Sequence, residues 1–234
     1  MKRSVKQIKT MLHQHANHQR AVNFRRFFKN SKDDIFLGVP TATIRKLAKE
    51  FYLLSLDEIV LLMQSEVHDE RSIANAMLCL KFRKSDAANQ KIIFNFYIKN
   101  RKYINDWDGV DDSAPYIAGP YLLERDKKIL YKLVKSKRIW DRRIAIVTTL
   151  HFTRQGKIND SLKIAKLLLN DEEDLIHKAC GWVLREVGKK DLNALKKFLN
   201  KHQSSMPRTM LRYAIERFPE KERKKYLIKT PARS

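Results

Sequence analysis

A weak internal repeat constrains the fold of this chain more than any other feature of its sequence. Short segments that resemble one another recur along the chain, most of them with charged residues followed by small or apolar ones. Their reference positions are Arg71, Trp107, Arg143, Lys178 and Arg208, separated by 36, 36, 35 and 30 residues. Such a period is typical of stacked helix pairs, because one pair cannot bury its apolar face alone. We therefore expect neighbouring pairs to stack into an array with a concave surface.

Helical periodicity fills the segments around these positions. Apolar residues recur three and four positions apart in residues 72–82, 162–168 and 179–187. No Asn-Gly or Asp-Gly pair joins two alternating apolar runs, so strand signals are weak. The pattern predicts an all-α fold of about twelve to fourteen short helices, arranged as a right-handed α-solenoid of HEAT-like repeats. We assign residues 1–234 to a single domain. Helix breaks are expected at the glycines and prolines near residues 38–40, 119–120, 156, 188, 206–207 and 218–219.

The charge of the chain indicates a polyanionic partner. The 49 Lys and Arg residues exceed the 26 Asp and Glu residues, which gives a net charge of +23. The basic residues are spread along the whole chain, so we expect the positive surface to belong to the fold. Nucleic acid bound on a basic concave face is the favoured partner, and an anionic membrane surface or an acidic protein are the alternatives.

Other features exclude several classes of protein. The sequence has no apolar run of about 18 residues, and its basic N-terminus lacks the apolar core of a secretory signal. Cys79 and Cys180 lie in helical apolar patterns, which indicates buried free thiols in a reducing cytoplasm. His13, His15 and His18 have no Cys or acid at ligand spacing, so we interpret them as surface residues. Redox, nucleotide-hydrolysing and zinc-protease functions lose their usual support, because the Cys-x-x-Cys, phosphate-loop and zinc-protease motifs are missing.

The acidic segment 106–113 is unusual in so basic a chain. On a helix, Asp111 lies one turn after Trp107, and Trp182 follows Asp111 by 71 residues, about two repeats. Helix capping is the simple interpretation of Asp106, and capping or solvation is that of Asp108. Asp111 is either a structural acid or a carboxylate in an aromatic-walled cleft, where its charge would stabilise a developing cation.

The basic and aromatic residues of the second half also allow two interpretations. Trp182 is either half-buried packing or an exposed aromatic wall, with Arg185 placed to reach a phosphate. Trp140 is interpreted as a core residue. Of Arg142 and Arg143, we expect one to be solvated or bound to phosphate and the other to pack against the next repeat.

Three motifs give the chain a resemblance to a known family. The runs 107–111 (WDGVD), 140–145 (WDRRIA) and 178–186 (KACGWVLRE) resemble those of the AlkD-type DNA alkylation repair glycosylases, and residues 26–30 with 36–39 are similar to that family's opening helices. The resemblance implies a HEAT-like α-solenoid that holds duplex DNA on its concave face. It also implies excision of cationic N3- and N7-alkylated purines (3-methyladenine and 7-methylguanine) by a monofunctional glycosylase without metal or cofactor.

The resemblance also implies roles for individual residues. Asp111 matches the family's catalytic aspartate, which stabilises the oxocarbenium ion and positions water. Trp107 and Trp182 match the tryptophans that pack against the deoxyribose of the damaged nucleotide. Arg143 and Arg185 match basic residues that bind the DNA backbone near the lesion.

Two positions depart from the family pattern. Phe27 stands where some members have tyrosine, so a hydroxyl contact to DNA is lost there. Asp112 adds a second carboxylate beside Asp111, which either raises a pKa of the pair or faces solvent. The complete set of residues expected to bind DNA is Arg143, Arg185, Phe27, Lys178 and Arg142.

The alternative functions are a non-catalytic repeat protein that binds branched or structured DNA, and a protein-binding scaffold. The retained Asp111 argues against the first, and the net charge of +23 argues against the second. We expect a monomer that acts on bacterial nucleoid DNA in the cytoplasm.

Overall fold

The fold is all-α, as the repeat and the helical periodicity predict. The computed structural model describes residues 4–28 and 33–228, and these form fifteen α-helices, one 3-10 turn and a single isolated bridge between Ile35 and Val67. Lys29 and Asn30, which belong to the N-terminal run that resembles the alkylation repair family, lie outside the described residues. Within the described ranges, no helix is both long and apolar enough to cross a membrane.

The contacts divide the chain into two compact units, residues 1–121 and 122–234, and each is described by itself. The assignment of the whole chain to one domain, the solenoid handedness and the concave surface stay predictions.

In the first unit, α5 is the central helix. It packs against α3, α4, α6 and α7, and its apolar residues Ile73, Ala74, Met77 and Leu78 are fully buried. The elements of this unit, the last of which crosses its boundary, are α1 (Val5–Gln14), α2 (His18–Arg25), α3 (Thr41–Phe51), α4 (Leu56–Met63), α5 (His68–Lys84), α6 (Ala87–Asn100), the 3-10 turn (Arg101–Tyr103), α7 (Trp107–Asp111) and α8 (Ala118–Leu122).

The segment between α2 and α3 is fixed to the start of α5. The carboxylate of Asp69 accepts hydrogen bonds from the backbone N–H groups of Leu37 and Val39, each at 2.8 Å. Between them, Gly38 has φ +73°, and a Cβ there would lie 2.5 Å from the backbone nitrogen of Ala21 in α2. Glycine is therefore required where this segment passes α2.

In the second unit, α12 packs between α10 and α14. Trp140 in α10 is buried, as predicted, and so is Cys180 in α12. The helices of this unit are α9 (Lys128–Leu133), α10 (Ile139–Arg154), α11 (Asn159–Leu167), α12 (Asp174–Lys190), α13 (Leu192–His202), α14 (Arg208–Ala214) and α15 (Glu220–Leu227).

Two of the predicted helix breaks are wrong. Gly188 lies inside α12, and Gly119 and Pro120 lie inside α8. Proline is tolerated in α8 because its missing N–H falls in the first turn, where no helical partner exists. Gly188 stays helical because packing outweighs its low helix propensity.

Two glycines of α12 give a test of how closely the helices of the second unit pack. A Cβ on Gly181 would lie 2.6 Å from the backbone oxygen of Met210 in α14, whereas a Cβ on Gly188 would meet only the rotatable end of Leu195. We expect Gly181→Ala to lower the free energy of unfolding by about 1–3 kcal/mol, because a backbone cannot move aside as a side chain can. Gly188→Ala should leave it unchanged or raise it by up to about 1 kcal/mol through higher helix propensity. Urea unfolding measures both, and equal losses would contradict this packing.

Candidate active site

The candidate site of the first unit is built on α7, a helix of five residues. Trp107, its first residue, is half-buried and stacks on Phe28, with 5.2 Å between ring centroids and 22° between ring planes. Its indole Nε1–H donates a hydrogen bond of 3.2 Å to the backbone oxygen of Phe27. The side chain of Phe27 is 69% exposed. The structure therefore brings together two residues, Phe27 and Trp107, that the family resemblance assigns to DNA contact and to sugar packing.

Asp111 is the last residue of α7 and is half-buried. It lies four residues after Trp107, so the two side chains share one face of the helix. The predicted one-turn spacing of Trp107 and Asp111 is thus present, because residues 107–111 are helical.

A buried arginine connects α5 to the start of α7. The guanidinium group of Arg71 pairs with the carboxylates of Asp34 and Asp106, and its Nη2 lies 3.1 Å from Oδ2 of Asp106. All three residues are at least nine-tenths buried. The prediction that Asp106 caps α7 through its side chain is wrong, because this carboxylate makes no capping hydrogen bond. The Asp106 carboxylate instead forms an ion pair with Arg71, 35 residues earlier in the chain.

A histidine makes the next contact from α5 to α7. His68 is buried, and its Nε2 lies 2.9 Å from Oδ2 of Asp108. Burial alone would lower the pKa of His68, but the hydrogen bond and charge of Asp108 and the charge of Asp106 raise it above its ordinary value. Asp108 is thus neither a capping nor a simply solvated residue, contrary to the prediction. Its other oxygen accepts a hydrogen bond from the adjacent N–H of Gly109.

His68, Asp106 and Asp108 are also the one group in residues 4–28 and 33–228 with metal-ligand spacing. One ligand atom from each lies within 4.8 Å of the others. Arg71 already supplies a cation to Asp106, which disfavours a metal ion at the same place. His13, His15 and His18 are exposed, as predicted.

Asp112, the second carboxylate beside Asp111, has a raised pKa. Desolvation of its carboxyl group and the charges of Asp108 and Asp111 raise the pKa of Asp112, against the opposing charges of Arg45 and His68. The thiol of Cys79 donates a hydrogen bond to the backbone oxygen of Asp112. Cys79 is half-buried rather than buried as predicted, and desolvation of its thiol together with the charge of Asp112 raises its pKa to about 12.

In the second unit, the basic residues at the starts of α10 and α12 lie close together. Arg143 is buried and donates a hydrogen bond of 2.5 Å to the backbone oxygen of Leu175. Lys178 pairs with Asp174 at 2.7 Å, and this pairing raises the pKa of Lys178, with the charge of Arg143 acting in the opposite direction. Arg143 and Lys178 share one phase of the sequence repeat, and in the structure they lie close enough for their charges to interact.

The remaining predicted residues of this unit also have protein partners. Arg142 binds Asp171 through Nε and Nη2, at 2.6 and 3.2 Å. Arg185 pairs with Glu216 and, at 3.6 Å, with Glu186.

Trp182 is half-buried on α12, four residues after Lys178. Nothing in the contacts of Arg142, Arg143 or Arg185 tests their expected binding to DNA, which stays a prediction for all three.

Comparison with known proteins assigns the chain to a family. The model of the DNA alkylation repair enzyme family matches residues 8–218, most of the chain. The chain belongs to this family. The resemblance seen in the sequence motifs is thereby confirmed, and DNA alkylation repair is the role that the family supports.

A solved structure shows the same fold. The chain is similar to a structure described as a predicted DNA alkylation repair enzyme from Enterococcus faecalis, with a TM-score of 0.69 and 16% identity. The similarity covers 88% of this chain and 98% of the other. At this identity the likeness concerns the fold alone. No curated protein sequence matches the chain significantly.

The sequence pattern of this family member does not single out Asp34 or His68, and Arg71 stands out in it only as a marker of the repeat. Four consecutive charged or polar residues, 68–71, open α5, and all four are buried. In a sequence such a run indicates a solvated helix start. The one available signal was that arginine occurs at the same repeat phase in Arg71 and Arg143, both of which are buried.

The buried arginine gives a stability prediction for this alkylation repair protein. Arg71→Met leaves two carboxylates buried without their cation, and we expect the free energy of unfolding to fall by about 3–5 kcal/mol. The control is Lys224→Gln, which removes an exposed pair with Glu220 and should change stability little. Urea unfolding at pH 7 measures both variants. Similar small changes for the two would show that the Arg71 pairs contribute no more than a surface pair.

Proposed function

We propose that this protein is a monofunctional DNA glycosylase that releases cationic N3- and N7-alkylated purines from duplex DNA. The observation that carries the proposal is the helix α7, in which Asp111 follows Trp107 by one turn within a chain of the DNA alkylation repair family. Its net charge of +23 supports a nucleic acid substrate.

The proposed reaction is hydrolysis of the bond between N9 of the purine and C1′ of the deoxyribose. Alkylation at N3 or N7 gives the purine a positive charge, so the electron pair of the breaking bond neutralises the departing base. Positive charge then develops on the sugar as an oxocarbenium ion, as in glycoside hydrolysis. Water adds to C1′ and releases its proton to the surroundings, which leaves an abasic site.

Asp111 carries the catalytic role in this proposal. Its carboxylate stabilises the oxocarbenium ion electrostatically and holds the attacking water. Because the damaged base is already a good leaving group, a contribution of a few kcal/mol, on the order of 10²–10⁴-fold in rate, is sufficient.

The aromatic residues hold the sugar. The negative faces of the Trp107 and Trp182 rings favour a cationic partner. The hydrogen bond from the Trp107 indole to the backbone of Phe27 fixes the ring plane, which supports a positioning role. The exposed Phe27 ring lies next to this contact and is available to DNA.

The basic residues supply affinity that does not depend on base sequence. Arg142, Arg143, Lys178 and Arg185 are proposed to approach the DNA backbone, and those that keep internal carboxylate partners would contact phosphates through their remaining N–H groups.

Release of free base from methylated duplex DNA tests the proposal. We expect the wild-type protein to release 3-methyladenine or 7-methylguanine under single-turnover conditions, measured by chromatography and mass spectrometry. Asp111→Asn should reduce the rate by about 10²-fold or more, because it removes the charge that faces the cation.

Asp112→Asn is the matched control. It removes the neighbouring carboxylate, and base release should persist within severalfold of the wild-type rate. Equal losses in both variants would indicate a general effect of acidic charge at the C-terminal end of α7. Tight binding to branched DNA with no base release would instead support the non-catalytic alternative.

The salt dependence of binding gives a second prediction. Because the basic residues displace counterions from the phosphates, log Kd for undamaged duplex DNA should rise linearly with the logarithm of salt concentration. Fluorescence anisotropy measures this slope. A slope near zero would exclude a phosphate-dominated interface.

A further inference from the structure

His68 occupies a position from which it can control α7. It lies in the first turn of α5, and its ring is packed among Phe24, Phe28 and Phe36, with ring centroids 5.7, 4.9 and 4.7 Å away. Phe28 in turn stacks on Trp107. The imidazole therefore belongs to the same packed aromatic group as the tryptophan proposed to hold the sugar.

Both ring nitrogens of His68 face oxygen atoms. Nε2 lies 2.9 Å from Oδ2 of Asp108, and Nδ1 lies 3.4 Å from Oγ of Ser72. The Ser72 hydroxyl donates to the backbone oxygen of His68 at 3.1 Å, which leaves its lone pairs for Nδ1–H. Only the protonated imidazolium donates from both nitrogens at once.

The charges around His68 also favour a cation there. Asp108 in α7, Asp106 just before the helix and Asp112 just after it interact electrostatically with His68, together with Arg71 of α5, which itself pairs with Asp34. Asp34, Asp106 and Asp108 are carboxylates with low exposure, and the first two of them pair with Arg71. Buried charges need opposite partners, and an imidazolium supplies the second positive charge.

We propose that His68, in its protonated form, is a positioning residue that fixes the first turn of α7 through Asp108 and so sets the orientation of Trp107 and Asp111. The catalytic part of this inference rests on the proposed glycosylase function, whereas the positional part does not. The raised pKa of His68 agrees with the geometry. Loss of the proton as pH rises through that pKa leaves a neutral hydrogen bond and removes the ion pair.

Glutamine is the informative replacement for His68, because it retains one N–H donor and carries no charge. In the wild-type protein, the single-turnover rate should fall roughly tenfold as the pH rises through the pKa of His68, since small displacements of catalytic groups cost large factors in rate. His68→Gln should show the low rate at every pH, so the two profiles converge at high pH. At any one pH, the Kd for DNA should be the same for His68→Gln as for the wild-type protein.

A second measurement needs no catalysis. The pKa of His68 can be read by NMR titration of the protein alone, and we expect a value above 6.5 that falls in Asp108→Asn. The emission of Trp107, isolated by replacing Trp140 and Trp182 with phenylalanine, should change with the same pKa. His13→Gln, at an exposed histidine, should alter neither readout.

The outcomes separate the two proposals. If the wild-type protein releases no alkylated base, the glycosylase proposal fails, and the NMR and fluorescence titrations still decide the role of His68. A pKa of His68 at or below 6.5, or a pKa unchanged in Asp108→Asn, overturns the positioning proposal. So does a pH profile of His68→Gln that remains parallel to that of the wild type.

Discussion

The buried guanidinium group of Arg71 is the interaction on which the candidate site depends. It pairs with Asp34, in the segment that leads to α3, and with Asp106, the residue before α7. A helix of five residues has no stability of its own in water, because it cannot recover the cost of nucleation. The conformation of α7 is therefore imposed by its surroundings. Removing one partner of a buried ion pair costs several kcal/mol, so the segments that share Arg71 are held together strongly.

The same start of α5 organises the residues around α7. Asp69 fixes the backbone at Leu37 and Val39, Arg71 fixes Asp34 and Asp106, and His68 reaches Asp108. One helical turn thus provides three polar anchors, each buried. The aromatic group that contains Phe28 and Trp107 fills the space beside them. This arrangement places an acid and an indole on one face of a short helix, where the proposed reaction uses both.

Much of the fold and the local part of the site could be predicted from the sequence. Helical periodicity gave the all-α class, and the spacing of Trp107 and Asp111 gave their common face. The roles of Asp106 and Asp108 could not be predicted, because capping is a local interpretation and their partners lie in α5, more than thirty residues away. The buried run 68–71 was missed for the same reason, since charged residues at a helix start usually face solvent. Gly188 did not break α12 because tertiary packing outweighs intrinsic propensity.

We propose that α7 presents Asp111 and Trp107 to the damaged nucleotide. The most direct measurement is a structure of the protein bound to duplex DNA that carries a 2′-fluoro 7-methylguanine nucleotide, whose glycosidic bond resists hydrolysis. We expect the Asp111 carboxylate to face C1′ of that nucleotide and the Trp107 ring to lie against its sugar. A complex in which the modified nucleotide contacts another surface, with α7 remote from the DNA, would contradict it.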